Sequence, residues 1–143
     1  MNMEPISSEE FRYEVEKAAG VLVARGFQRA RQLDIETPTL ATVVYAGRNV
    51  AFVFTLDKRD SVIDLVVMRY RDGKLLATCD GGYSSNLFSY LVDYCGFRGR
   101  RVRAASLSPP ASKVKGMIAA LMNLLEQPCA KHLLADRSDA LPN

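Results

Sequence analysis

Between Leu40 and Thr78 apolar residues alternate with others or run unbroken, and short polar, glycine-bearing intervals interrupt them. That period belongs to strands rather than helices. Leu40–Ala46 and Val50–Leu56 are split by Gly47-Arg48-Asn49. This is a hairpin signal, because Gly and Asn accept the positive φ that tight turns need. Val50, Phe52, Phe54 and Leu56 fall on one face of the second strand; Ala51, Val53 and Thr55 fall on the other. After a charged loop, Asp57–Ser61, Ile63, Leu65 and Val67 alternate with Val62, Asp64, Val66 and Met68. Arg71–Lys74 reads as another tight turn and Lys74–Cys79 as a fourth strand. Short turns in succession predict an antiparallel meander of about four strands in chain order. The first strand would lie at an edge, where Pro38 at its entrance is tolerated. The middle strands are apolar on both faces, so one face takes helices and the other needs cover from this chain or a partner.

Outside the meander the apolar period becomes helical. Ser7 and Glu10 form a capping box, with Ile6 and Phe11 placed as a hydrophobic staple. Phe11, Val15, Ala18 and Leu22 make the stripe of a first helix that Gly26 stops. Gln28–Thr39 is polar and mixed and predicts no definite element. Asp80–Ser85 is a break leading to a helix with Ser84 or Ser85 as its cap, a stripe of Leu87, Tyr90, Leu91 and Tyr94, and Gly96 as its stop. Ser108-Pro109-Pro110 opens a last long helix with Val114, Met117, Ile118, Leu121, Met122 and Leu125 on its buried face. Pro128 stops or kinks it. Cys129–Ala135 suits a short further helix, and 136–143 reads as a frayed polar tail. The predicted architecture is a single α+β domain over residues 1–143. It has an N-terminal helix, the meander, and two or more C-terminal helices on the sheet.

Composition narrows the function more by exclusion than by signal. The charge is +3, but residues 1–70 carry 9 Lys and Arg against 10 Asp and Glu, while residues 71–143 carry 10 against 6. Cys79, Cys95 and Cys129 are odd in number and lack C-x-x-C spacing, which argues against a disulfide framework and a zinc site and for a reducing compartment. The acidic N-terminus has no signal-peptide core, and Met117–Leu125 is too short to span a membrane. These features predict a soluble, cytoplasmic protein.

No catalytic, cofactor or metal motif emerges. His132, the only histidine, reads as a surface or packing residue. Gly82–Ser85 is not a nucleophile elbow, and no phosphate or dinucleotide glycine pattern occurs. Asp57, Asp60 and Asp64 are better explained as turn and strand residues than as metal ligands. Gly81-Gly82 before a helix offers only a weak anion site. Arg98, Arg100, Arg101 and Arg103, near Tyr94 and Phe97, are the best nucleic-acid candidates, since arginines neutralise phosphates and aromatics stack on bases. Meander topology puts the turns at 47–49 and 71–73, basic through Arg48, Arg71 and Lys74, at one end of the sheet. It puts loop 57–61 and the Asp80–Tyr83 break at the other. Asp57, Lys58, Arg59, Asp60, Asp80 and Tyr83 would then form a mixed-charge rim suited to binding a protein.

An N-terminal amphipathic helix, then Val43, Tyr45, Gly47, Asn49, Val50 and Phe52 across a hairpin, then Leu56, Asp57, Arg59, Asp60, Val62 and Arg69, resembles a known class. It is similar to the small cytoplasmic immunity proteins of bacterial contact-dependent growth inhibition and related polymorphic toxin systems. The resemblance runs from about Phe11 to Gly73. It implies a non-catalytic protein that binds one cognate toxin domain, often a nuclease, and blocks its active site or substrate surface. Such proteins tend to be acidic, and this chain is slightly basic; acidic contacts would come from Glu9, Glu10, Glu14, Glu16 and the Asp57–Asp64 region. The alternatives are a nucleic-acid-binding module using the arginine cluster and a homodimeric secretion chaperone or adaptor that closes the free sheet face by self-association.

Overall fold

The computed structural model describes residues 6–96 and 110–142. Ser7 caps helix α1 (Ser8–Ala18) by accepting the Glu10 amide, and Ile6 and Phe11 are both buried beside it. The helical stretch breaks at Ala19 and resumes as α2 (Gly20–Ala24), with Leu22 inward and Val21 exposed. Gly26, at φ 95°, turns the chain out of α2.

Six strands follow: β1 (Gln28–Arg29), β2 (Leu40–Ala46), β3 (Val50–Asp57), β4 (Val62–Arg71), β5 (Lys74–Leu76) and β6 (Ser84–Asn86). They are antiparallel in the order β1-β2-β3-β4-β5, with β6 also on β4. Val43, Tyr45, Val50, Phe52, Phe54, Leu56, Ile63, Leu65 and Val67 share the face against which the helices pack. Asp72 and Gly73, at φ 53° and 78°, make the tight turn predicted between β4 and β5.

In the sheet and at the start of the next helix, three features depart from the sequence reading. β2 is not a bare edge: β1 pairs with Tyr45 and Ala46, while Thr42 N donates to Ile35 O and Val44 N to Asp34 Oδ1. The predicted fourth strand, Lys74–Cys79, ends at Leu76, and an unexpected short strand, β6, continues along the same edge of β4. β5 pairs with residues 69–71 and β6 with residues 66–68, so residues 77–83 bulge out between them. Backbone crowding fixes that bulge, because a Cβ on Gly82 would run into the Leu76 carbonyl. Helix α3 (Leu87–Cys95) is therefore capped by Asn86, whose Oδ1 accepts the Ser89 amide, and not by Ser84 or Ser85.

Helix α4 (Pro110–Leu124) buries Val114, Met117, Ile118 and Leu121, and touches both α1 and β4. A 3-10 turn, Pro128–Ala130, leads into α5 (Lys131–Leu134). Residues 136–142 are not a frayed tail. Ala140 and Leu141 are buried, the Tyr90 hydroxyl donates to Ala140 O, and Asp136 binds the β2–β3 turn. On the second sheet face Val44, Ala46, Ala51 and Val53 are buried with Ala30, and Leu33, Val66, Met68, Tyr70 and Leu75 surround them. Among the described residues no helix is long and apolar enough to cross a membrane.

Candidate functional site

The β3–β4 loop begins with Asp57 folding the chain onto itself. Its Oδ1 accepts the amides of Arg59 (3.0 Å) and Asp60 (3.3 Å), the turn role expected for an aspartate there. Ser61, at φ 52°, completes the reversal. Lys58 points the other way. Its amide donates to Thr39 O, and its ammonium donates to Thr37 O and Glu36. Glu36 also accepts from Ser8 Oγ (2.9 Å) and pairs with Arg12 (3.3 Å). Hydrogen bonds from Lys58 and then Ser8 hold the Glu36 carboxyl below its ordinary range. One carboxylate thus ties together the start of α1, the segment before β2 and the β3–β4 loop. Arg59 and Asp60 stand exposed on the turn so braced, and Ile35 beside Glu36 is 47% exposed.

Asp80 and Tyr83 do not join this rim. Tyr83 O accepts the Arg69 amide, and Arg69 lies opposite Val50, whereas Asp57 lies opposite Val62. Seven strand residues separate the two levels, about 23 Å. The bulge between β5 and β6 is the cause, since it leaves the sheet partway along β4 instead of at its end. Tyr83 is half-buried and meets the rings of Tyr90 and Tyr94 edge-on at 6.3 and 6.2 Å, packing α3 against the sheet edge. Burial raises its phenol pKa. The backbone of Asp80 closes a 3-10 turn, Thr78–Asp80; its side chain lies outside the description. Gly81-Gly82 precedes α3 by several residues, so the pair is not at a helix N-terminus.

Residues 28–39 contain an ion-pair cluster with no local sequence signature. Arg29 grips Asp34 through both terminal nitrogens (2.8 and 2.6 Å), reaches Glu16 through Nε (3.0 Å) and lies over the Tyr45 ring. Arg31 adds a contact to Glu16. Burial pulls the Arg29 pKa down, but the hydrogen bonds it donates to Asp34 and Glu16 outweigh it and the net shift is upward. The cluster pins β1 to α1, and Glu36 follows Asp34 by two residues in the same segment.

His132 is exposed at a cleft of about 300 Å³ with Tyr90, Tyr94, Cys95 and Asp139, a grouping the sequence reading missed. Cys95 is disulfide-bonded, which corrects the expectation of reduced cysteines, while Cys79 is an exposed free thiol. Arg98, Arg100, Arg101 and Arg103 lie outside the described residues. Arg48, Arg71 and Lys74 do share the sheet end opposite the rim, because Tyr70 N donates to Asn49 O and Arg71 pairs with Lys74. Comparison with protein-family models, with curated proteins and with solved structures finds no match to this chain.

Proposed function

We propose that this chain is a binding protein of the immunity type, which neutralises a cognate bacterial toxin domain by covering it and makes or breaks no bond itself. The observation that carries the reading is the braced rim. Glu36 immobilises Lys58 and Arg12, so the exposed Arg59 and Asp60 are presented on a turn that needs little further ordering when a partner arrives. Mixed charge around an exposed aliphatic residue, here Ile35, gives orientation and specificity at an interface. The contact residues in this reading are Asp57, Lys58, Arg59 and Asp60 together with Glu36 and Ile35. Asp80 and Tyr83 drop out because they belong to the bulge between β5 and β6, which leaves the sheet near Arg69. The reading places the encounter inside the bacterial cell.

Co-expression with a toxin domain, sought in the reading frame next to this one, tests the proposal. Rescue of growth and a complex that co-elutes on size exclusion are expected. Reversing the rim charges with Arg59→Glu and Asp60→Lys should weaken the complex at least about tenfold, mostly by slowing association. Growth arrest despite normal expression, with no complex, overturns it.

A further inference from the structure

At the end of the sheet opposite the rim, three consecutive backbone amides converge on one carboxylate. Arg48 N donates to Asp136 Oδ2, while Asn49 N (2.8 Å) and Val50 N (2.9 Å) donate to Oδ1. The Asn49 side chain also donates to the Asp136 carbonyl at 2.8 Å. Successive N–H groups aimed into one concavity form an anion nest. Gly47 belongs to the same arrangement, because a Cβ there would collide with the Asp136 carboxylate. Its φ is not positive, so close approach explains the glycine, and the turn conformation expected from the sequence does not.

The donors do not depend on Asp136 for their placement. Ala46 pairs with Ala51 across the hairpin, Gly47 N donates to Val50 O, and Asn49 O accepts the Tyr70 amide from the next turn. A cleft of about 680 Å³ opens beside the nest, and Arg25, Gln28 and Arg48 line it. Asp136 is the only acidic residue lining it among those described. Preformed amides and two exposed guanidiniums therefore face a single carboxylate carried in by the C-terminal segment.

We propose that the β2–β3 turn is an oxyanion receptor, with Asp136 as its built-in ligand, and that it accepts a carboxylate or phosphate group from outside when Asp136 is withdrawn. Preorganisation is the physical basis: the turn geometry has already met the ordering cost of binding, so an incoming oxyanion gains three charge-assisted hydrogen bonds. Residue 136 sits at φ 55°, where glycine is unstrained, so Asp136→Gly removes the carboxylate while keeping the backbone path.

The test titrates Asp136→Gly and the parent protein with inorganic phosphate, acetate and chloride at constant ionic strength, following backbone amide NMR shifts and Tm. Saturable shifts centred on Arg48, Asn49 and Val50 are expected in the variant, with a rise in Tm and a response in the parent about tenfold smaller. Saturation by acetate alone identifies a carboxylate receptor, and tighter binding of phosphate identifies a phosphate receptor; both support the proposal. Equal responses in parent and variant, equal responses to chloride, or shifts without saturation overturn it. Should Asp136→Gly fail to fold, Asp136→Asn serves. Amide exchange at residues 48–50 should then quicken about tenfold and slow again with phosphate, and no recovery overturns the proposal.

Discussion

Arg69 Nη2 donates to the carbonyl oxygen of Leu141 at 3.0 Å, joining β4 to a chain segment 72 residues away. It donates to Pro142 O at the same distance, and Arg69 is 5% exposed. A guanidinium at a core-facing strand position thus reads the backbone of the C-terminal segment, and the Tyr90 hydroxyl does the same at Ala140 O, 2.6 Å away. Arg69→Met keeps the apolar stem but leaves two carbonyls without their donor. A loss of about 2–4 kcal/mol is expected in urea unfolding, with faster amide exchange over residues 136–142. A loss below about 0.5 kcal/mol would mean that the clasp is incidental.

The alternation around Phe52, Phe54, Ile63 and Leu65 specified the meander because a one-residue slip would put every one of these side chains on the wrong face. The stops at Gly26, Gly73 and Gly96 were legible for a similar reason, since each has a positive φ. What stayed hidden depends on partners remote in sequence. Residues 28–39 look merely polar until Glu16 meets Arg29. Asp136–Pro142 looks like a tail until Arg69, Tyr90 and the β2–β3 turn are placed around it. The expected rim lost two of its six members, Asp80 and Tyr83, because Lys74–Cys79 reads as strand, while Gly82 lies so close to Leu76 that β5 ends at that residue.

Arg29 holds Asp34 in a two-pronged grip while its Nε reaches Glu16, a geometry that lysine cannot copy. Arg29→Lys keeps the charge and loses the fork. It should cost about 1–2 kcal/mol in denaturant unfolding, with Arg29→Met costing more because Asp34 then stays half-buried without a cation. Equal stability of the lysine variant and the parent would show that charge alone holds β1 to α1.

The cysteines separate by chemistry as well as position. Cys79 is exposed and free, and Cys95 is disulfide-bonded. Alkylation of the native protein without reductant should label Cys79 and spare Cys95, and prior reduction should make Cys95 reactive. The same mass-spectrometric measurement on rapidly acid-quenched cells bears on location. Cys95 found as a thiol in the cell fits a reducing compartment, and Cys95 protected in the cell fits an oxidising one.

Glu36 makes the rim sensitive to acid in a direction its environment fixes. Lys58 and Ser8 stabilise the charged carboxylate, so its folded pKa lies below the unfolded value, which is about 4.3 for glutamate. A depressed carboxyl pKa contributes stability that is fully present above the unfolded value and is lost as pH falls through the folded one. Glu36→Gln should therefore differ from the parent near neutral pH, and the difference should shrink below about pH 4 until the two coincide. Because Glu36 is largely exposed, added salt should shrink the gap at neutral pH as well. A gap that persists unchanged at low pH would place its origin in lost packing at the Ser8 contact instead of charge. The bracing of Lys58 and Arg12 would then be geometric, and the rim would keep its shape in acid.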